Sequence, residues 1–364
     1  MNKNFWQKQI KKYNKLCFLA PMDWYWDSAY RQTMRKVAPH VCLVSEFYSS
    51  DWLVMSKFLA DSVLPHQKIE DPLVIQIFGK NPEMFANAAK IISKEKYNIA
   101  GIDVNMWCPA KKVVRSGHWS SLMINEETSY EIIKALDKAT HLPISVKTRL
   151  SFDWGQDLIK FGKNLEKAGC KLLTVHWRTA KQAYTWTADL EPIYLLQKEL
   201  NIPVIANWDI KNFKDWMKKV KNLAGFMIWR WSFWNPWCFL WDQHNPENIS
   251  DPEEKKLYSH LNPKNFVDWV YYPSLDEILK IMDFHAKVLV ETKWEKKWNL
   301  EIRKHLVQYL KNFPWVKIYR KRLVTTDSYE NTKNIISEIR EKFSNFLNKR
   351  PWLGEITKED LGIE

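Results

Sequence analysis

Short apolar runs alternate along residues 17–239 with segments whose apolar residues recur every three or four positions. A short apolar run bounded by polar or turn residues predicts a strand, and the three-to-four spacing predicts a helix. The predicted strands are 17–20, 41–45, 73–78, 99–105, 143–148, 172–176, 203–207 and 224–228. The predicted helices are 27–37, 81–92, 130–139, 157–168, 190–200 and 212–220, and Pro236 begins a further one.

Eight strands that alternate with helices favour an α/β fold of the (β/α)₈ TIM-barrel type. The strands are apolar throughout, which is typical of strands buried on both faces. A doubly wound open sheet is the alternative. It is disfavoured because no glycine-rich fingerprint follows the first strand.

The last third of the chain has a different pattern. Residues 242–265 are polar and rich in proline, whereas 274–291, 300–311 and 331–347 have helical apolar spacing. We therefore expect a small all-helical C-terminal domain after the barrel. The predicted organisation is a basic N-terminal extension at 1–15, a catalytic barrel at 16–242, a linker at 243–271 and a helical domain at 272–364.

Charge and cysteine content narrow the function. The net charge of +13 favours a polyanionic partner, although a lysine-rich proteome would produce the same excess. The five cysteines are scattered without metal-ligand spacing, so we expect a reduced cytoplasmic protein with no metal. No apolar run approaches the roughly 18 residues of a membrane helix, so we expect no membrane partner. Oligomeric state is not determined by these features, and a monomer is favoured.

Polar residues follow or end seven of the eight predicted strands. In a barrel, the residues that bind and react lie at these carboxyl ends. Any one of them could be an ordinary rim residue, but their joint placement predicts a site. The candidates are Asp23, Gln76, Asn105, Cys108, Lys147, Arg149, His176, Arg178, Asn207, Asp209 and Arg230.

Cys108 follows the fourth predicted strand in the sequence GIDVNMWCPA, where Pro109 ends the strand. A lone cysteine is often a buried structural thiol. Asp103 and Asn105 alternate with apolar residues just before it and favour a site instead.

Residues 105–113, NMWCPAKKV, resemble the NMGCPAKKV signature of the tRNA-dihydrouridine synthases, with Trp107 at the glycine position. The resemblance extends over 19–239 and more loosely over 272–320. It implies an FMN enzyme that reduces uridine in tRNA, with NADPH as electron donor. The cofactor-binding residues that it implies are Pro21, Met22, Gln76, Lys147, His176, Asn207, Trp208, Asp209, Trp229 and Arg230.

The implied reaction adds a hydride and a proton across the 5,6 double bond of uracil. Reduced FMN can supply the hydride. Cys108 is the expected proton donor, because a thiol with a pKa of about 8.5 is mostly protonated at neutral pH. The segments EIRKH and YLKNFP resemble the family's tRNA-contacting helices, although a solvated cationic helix face is an alternative. The implied substrate-binding residues are Asn105, Arg149, Arg178, Lys181, Arg303, Lys304 and His305.

Two other functions fit parts of this pattern. One is an FMN-barrel oxidoreductase that acts on a small molecule, and the other is an inactive tRNA-binding paralogue. The basic C-terminal helices and the Cys-Pro motif argue against the first. The intact candidate residues argue against the second.

Tryptophan is abnormally frequent and glycine rare, at 21 and 9 residues. Many tryptophans stand where the resembled family has glycine, among them Trp24, Trp107, Trp119, Trp177, Trp208, Trp229, Trp231 and Trp234. Glycine in such loops supplies positive φ or close approach to a ligand. Our hypothesis is that the organism reads these codons as glycine, since UGA means glycine in some bacteria and tryptophan in others. Decay of a paralogue is the alternative, but decay would scatter many residue types.

Overall fold

A computed structural model describes residues 4–23, 25–106, 122, 125–151, 157–177, 190–207, 210, 213–292, 295–311, 313 and 316–357. Eight parallel strands form one sheet, in which the second to eighth strands are paired in chain order and the eighth also pairs with the first. They are β1 Leu16–Leu19, β2 Leu43–Ser49, β3 Leu73–Phe78, β4 Gly101–Asn105, β5 Ile144–Arg149, β6 Leu172–His176, β7 Val204–Asn207 and β8 Gly225–Ile228.

The sheet closes into a barrel. β1 pairs with β8, and a parallel bridge between Phe18 and Cys42 joins β1 to the segment that leads into β2. Cys42 N donates to the carbonyl of Cys17 at 2.8 Å, and Leu19 N donates to the carbonyl of Cys42 at 3.1 Å. The predicted (β/α)₈ TIM barrel is thereby confirmed.

The helices are numbered in chain order within the described part of the chain. Those between residues 5 and 217 are α1 Phe5–Tyr13, α2 Ser28–Val37, α3 Ser50–Met55, α4 Lys57–Val63, α5 Pro82–Ile92, α6 Glu126–Ala139, α7 Leu158–Ala168, α8 Glu191–Glu199 and α9 Phe213–Met217. The six predicted helices of this region are present. The structure adds α1, α3 and α4, which the sequence pattern does not predict.

Two of the predicted helices begin at capping side chains that the sequence provides. Asn81 Oδ1 accepts a hydrogen bond from Glu83 N at 2.9 Å at the start of α5. Asp157 Oδ1 accepts from two backbone amides of α7 at 3.0 Å. α7 ends at Gly169, whose φ of +119° lies in the left-handed region that glycine adopts without strain.

α1 contributes to the barrel core. Trp6 is fully buried, and its ring centroid lies 5.4 Å from that of Phe18 on β1. Trp6 belongs to an apolar cluster with Leu16, Val74 and Leu172, near the amino ends of the strands. Part of the predicted basic extension is therefore a helix that contributes an aromatic side chain to this end of the barrel.

The chain folds into two compact units. The first comprises Met1–Asp27, His40–Ile210 and Asp215–Trp229, and it holds the barrel strands. The second comprises Ser28–Pro39, Lys211–Lys214 and Arg230–Glu364. The second unit starts before the predicted boundary at residue 242. It also takes in α2, which lies between β1 and β2 in the sequence.

The second unit is mainly helical. Besides α2, its described helices are α10 Pro252–Tyr258, α11 Leu275–Thr292, α12 Glu295–Tyr309, α13 Lys317–Thr325 and α14 Tyr329–Lys342. α11 packs against α2, α12 and α14. The segment predicted as a linker holds α10 and a two-stranded hairpin, β9 Phe266–Val267 and β10 Val270–Tyr271.

The hairpin has a two-residue turn. Val267 pairs with Val270, so Asp268 and Trp269 form the loop, with φ values of +49° and +72°. Two consecutive positive φ angles in a two-residue hairpin loop define a type I′ turn, which favours Asn-Gly or Asp-Gly. A tryptophan therefore occupies a position that this turn normally gives to glycine.

Candidate functional site

Three strands bring polar side chains together at their carboxyl ends. Arg149 on β5 is in register with His176 on β6, which is in register with Asn207 on β7. Residues paired in this way on neighbouring parallel strands point to the same face of the sheet. All three side chains are buried, so the carboxyl-end layer of the barrel interior is polar here.

A second buried network spans β3, β4 and β5. Gln76 Nε2 donates to Asp103 Oδ2 at 2.7 Å, and Ser145 Oγ donates to Asp103 Oδ1 at 2.6 Å. Asn105 Nδ2 donates to Gln76 Oε1 at 3.0 Å. The strand register, which pairs Gln76 with Asp103 and Asp103 with Ser145, places these groups on one face. The network joins two predicted site residues, Gln76 and Asn105.

Asp103 organises that network. An ionised carboxylate only accepts hydrogen bonds, so it directs the amide nitrogen of Gln76 towards itself and leaves Gln76 Oε1 for Asn105. Burial raises the pKa of Asp103, and the hydrogen bonds from Ser145 and Gln76 oppose that shift. Asp103 and Ser145 were not among the predicted site residues. The alternation of Asp103 with Asn105 along β4 was the signal that could have identified Asp103.

Lys147 and Asn207 lie on the same inner face. Lys147 is half-buried and is in register with Asn105 on one side and Thr174 on the other. Asn207 Nδ2 donates to the carbonyl of Met227 at 3.0 Å, which links the ends of β7 and β8. A cation, a guanidinium and amide groups thus line the carboxyl end of the barrel.

Other predicted cofactor residues lie at the ends of β1 and β8. Pro21 and Met22 follow β1 and are half-buried. Trp229 follows β8 and packs against the barrel core, while Arg230 is exposed and belongs to the second unit. Pro21, Met22, Trp229 and Arg230 therefore all lie just beyond the carboxyl end of a strand.

Five predicted site residues lie outside the described part of the chain. They are Cys108, Arg178, Lys181, Trp208 and Asp209.

The three residues predicted to contact tRNA from the helical domain lie on α12. Arg303 Nε donates to the carbonyl of Thr326 at 2.8 Å, and Lys304 is half-buried. His305 is fully buried, and its Nδ1 accepts a hydrogen bond from Trp234 Nε1 at 2.8 Å. A buried ring cannot meet RNA at the surface, so the prediction of a direct RNA contact by His305 is corrected to a role in the core of the second unit.

The residues that the structure describes contain no group of three or more histidine, cysteine or acidic side chains arranged to hold a metal ion. None of the described helices combines the length and apolar character of a membrane span.

A closed parallel β/α barrel with buried polar side chains at the carboxyl ends of its strands defines a TIM-barrel protein with its site at that face. The sequence matches the family model described as dihydrouridine synthase (Dus) over residues 18–347. The chain belongs to the dihydrouridine synthase family.

Several bacterial proteins are similar to this chain over most of their length. A probable tRNA-dihydrouridine synthase of Rickettsia conorii is 30% identical, covering 81% of this chain and 84% of that protein. tRNA-dihydrouridine synthase B of Pseudomonas putida is 29% identical, with 90% of each chain covered. Probable tRNA-dihydrouridine synthase 1 of Synechocystis sp. is 28% identical, covering 88% of this chain and 84% of that protein.

Proposed function

We propose that this protein reduces a uridine of tRNA to 5,6-dihydrouridine, with FMN as bound cofactor and NADPH as electron source. The observation that carries the proposal is the polar layer at the carboxyl ends of the barrel strands, formed by the buried Asn105, Arg149, His176 and Asn207 and the half-buried Lys147. A polar interior of this kind can accommodate a polar ligand. The similar proteins of the family are named for this reaction, which supports the same proposal.

The residues of this layer suit a flavin nucleotide. The amides of Asn207 and Gln76 and the imidazole of His176 can bond the polar edge of an isoalloxazine ring. Lys147 provides a positive charge beside them, and Arg230 provides another after β8. Phosphate sites in TIM barrels commonly follow strands 7 and 8, where Asn207, Trp229 and Arg230 lie. When bound and reduced, FMN supplies the hydride.

The chain's own residues would position the base and deliver the proton. Asn105, whose side-chain nitrogen is directed towards Gln76, is the proposed contact for the uracil edge. Cys108 Sγ, three residues further along, gives its proton to the carbon that does not receive the hydride. The resulting thiolate recovers a proton from solvent. The double bond is reduced by this addition of one hydride and one proton.

The substrate is proposed to be tRNA because the charge and the relatives agree. The net charge of +13 favours binding to a polyanion through counterion release. The target base must leave its stack to reach the site, which requires contacts on neighbouring nucleotides. Arg303 and Lys304, with the basic residues near Cys108, are the proposed contacts.

The experiment compares Cys108→Ala with Cys170→Ala in the full chain. Cys170 is buried, and burial raises the pKa of its thiol to about 12, so it cannot replace Cys108 as donor. We expect Cys108→Ala to retain FMN absorbance but to form dihydrouridine in unmodified tRNA about a hundredfold more slowly or worse. Cys170→Ala should retain turnover. Wild-type turnover by Cys108→Ala would remove Cys108 from its proposed role.

A further inference from the structure

The second unit contains a large cavity that the proposed function does not use, apart from Arg230 at its wall. Its volume is about 760 Å³, within the range of about 300–1,000 Å³ typical of small-molecule sites. Phe233, Asn235, Tyr272, Gln308 and Lys311 are among the residues that line it. They come from the segment after β8, from the segment after the hairpin and from the carboxyl end of α12.

Several polar groups at this cavity have no partner among the described residues. The buried Oδ1 of Asn235 accepts no hydrogen bond. The side-chain amide of Gln308 and the ammonium of Lys311 likewise make no hydrogen bond or ion pair within the described part of the chain. A buried acceptor without a hydrogen bond is costly, so the buried Oδ1 of Asn235, together with the two unpartnered groups beside it, favours a polar occupant.

Aromatic rings form part of the cavity wall. Phe233 and Tyr272 are half-buried, so each keeps part of its ring accessible. Tyr272 is held in place by its backbone amide, which donates to the carbonyl of Asn265 at 2.9 Å. The neighbouring Tyr271 hydroxyl is hydrogen-bonded to Glu277, which ties the segment to α11. The backbone that carries the Tyr272 ring is therefore anchored at two neighbouring points.

The described charged residues that line the cavity are all cationic. Lys311 and Arg230 both line it and both are exposed, whereas none of its described lining residues is acidic. An anionic group would meet two cations and no carboxylate. Aromatic rings, amides and cations at one site are the groups that proteins use to stack a base, bond its edge and pair with its phosphate.

We propose that this cavity binds a nucleotide other than the target uridine. Its base stacks on Tyr272 and Phe233, the amides of Gln308 and Asn235 bond the base edge, and Lys311 pairs with the phosphate. The nucleotide can come from an unstacked position of the tRNA or from a free nucleotide such as the nicotinamide dinucleotide. The first source rests on the proposed function, whereas the second does not require tRNA.

The five groups proposed to bind the nucleotide are the same whichever way the tryptophan codons are read. None of the five residues that carry them is a tryptophan. Trp231 and Trp234 also line the cavity, and glycine at these positions would enlarge the space without removing any of the five groups.

The test measures binding to the flavin-loaded full chain with three probes: unmodified tRNA, NADPH and AMP. Tyr272→Ala should lower the affinity for the probe that occupies the cavity about five- to a hundredfold, the range for loss of one base-stacking ring. Tyr272→Phe keeps the ring and should bind like wild type. Lys311→Ala should weaken binding and reduce the salt dependence of tRNA binding by about one unit of slope. Lys333→Ala removes another exposed lysine that does not line the cavity. It should change neither the affinity for the probes nor the salt dependence of tRNA binding.

Each result decides between sources or against the cavity. Loss confined to tRNA assigns an RNA nucleotide, and loss confined to NADPH or AMP assigns a free nucleotide. Wild-type affinity of Tyr272→Ala and Lys311→Ala for all three probes would overturn the proposal. Loss of FMN from these variants would overturn it too, by placing the cavity within the cofactor site. A wild-type protein that binds nucleotides but forms no dihydrouridine would contradict the proposed function alone.

Discussion

The carboxylate of Asp103 determines how two neighbouring amides are oriented inside the barrel. It accepts from Gln76 and Ser145, and Gln76 in turn accepts from Asn105. The orientation of the Asn105 side chain, which is proposed to hold the uracil edge, therefore depends on Asp103 acting through Gln76. Asp103 is thus a positioning residue.

The pKa shift of Asp103 gives a pH-dependent prediction. Its folded-state pKa is raised above the ordinary 3.8 by burial, so between pH 3.8 and the raised pKa the native state holds a proton that the unfolded chain releases. The stability contributed by this proton is fully present below pH 3.8 and is lost as pH rises through the raised pKa. The side-chain amide of the Asp103→Asn variant cannot ionise. We expect wild type to lose stability relative to that variant as pH rises above 3.8, and then to level off.

Urea denaturation of both proteins across this pH range measures the difference in the free energy of unfolding. Ser129→Ala serves as a control, since it removes a buried side-chain hydrogen bond, to the carbonyl of Leu122, without changing an ionisable group. Its offset from wild type should stay constant with pH. Parallel pH profiles for wild type and Asp103→Asn would show that Asp103 does not titrate in this way.

Two tryptophans have backbone conformations that suit glycine. Among the described residues, Trp234 has φ +55° and Trp269 has φ +72°. Positive φ is a genuine outlier for a bulky residue. Trp234 was predicted as a family glycine, and Trp269 emerges only from the structure. Both observations support the hypothesis that some tryptophan codons are read as glycine in the organism.

Trp269→Gly tests the turn without disturbing a core. Trp269 is 65% exposed, so its replacement removes little buried area. Relief of positive-φ strain at a residue with a Cβ should stabilise the protein by about 1–3 kcal/mol. Trp269→Ala is the matched control, because it removes the indole but keeps the Cβ. A gain for alanine equal to that for glycine in thermal or urea unfolding would contradict the strain argument.

At the scale of elements, α1 has a specific task in the barrel. Its Trp6 is fully buried among strand residues, while Lys8 on the same helix is exposed. A short helix of this kind is held by packing more than by its own propensity. Residues 5–13 should therefore be part of the cooperative fold.

Trp6→Ala should lower the free energy of unfolding by about 3–5 kcal/mol, the usual loss for truncating a large buried aromatic side chain. Lys8→Ala should change it by no more than about 0.5 kcal/mol, as expected for a surface substitution. Urea denaturation followed by circular dichroism measures both. Equal stability of the two variants would mean that α1 is not part of the folded core.

At the scale of the molecule, α2 lies early in the sequence but packs against residues from the last third of the chain. It lies between β1 and β2 in sequence, yet it packs on α11 within the second unit. Lys36 Nζ lies 4.7 Å from the centroid of the Phe284 ring, and the Tyr30 ring centroid lies 5.6 Å from that of His285. Tyr30 is fully buried in this packing.

Deletion of residues 274–364 should therefore damage the remaining chain as well as remove the helices. Without α11, the buried face of α2 would be exposed to water, which costs about 25 cal/mol per Å² of apolar area. We expect the truncated protein to lose cooperative unfolding and to be cleaved by protease within residues 28–39. Limited proteolysis with mass spectrometry checks this. A truncated chain that is protease-resistant and unfolds in one sharp transition would refute it.

The barrel could be read from the sequence because strands covered on both faces must be apolar along their whole length. That requirement makes each strand a recognisable run, and β3 and β6 have the predicted bounds. Parallel strands place all their carboxyl ends at one end of the barrel. The sequence therefore also predicted that Asn105, Lys147, His176 and Asn207 lie together at that end. α3 and α4 did not follow, because these short helices leave Met55 and Phe58 exposed and so lack a buried apolar stripe.

Tertiary structure decided the features that depend on residues far apart in the chain. Tyr30 meets the carbonyl of Ser232, 202 positions away, and this packing assigns α2 to the second unit. The burial of His305 and the orientation of Gln76 by Asp103 likewise depend on which side chains are brought together. Hydrophobic periodicity indicates whether a residue faces the interior, but it does not indicate which residues from distant parts of the chain it contacts. The sequence therefore determined the barrel and the site's location, and only the three-dimensional packing determined the partners of each side chain.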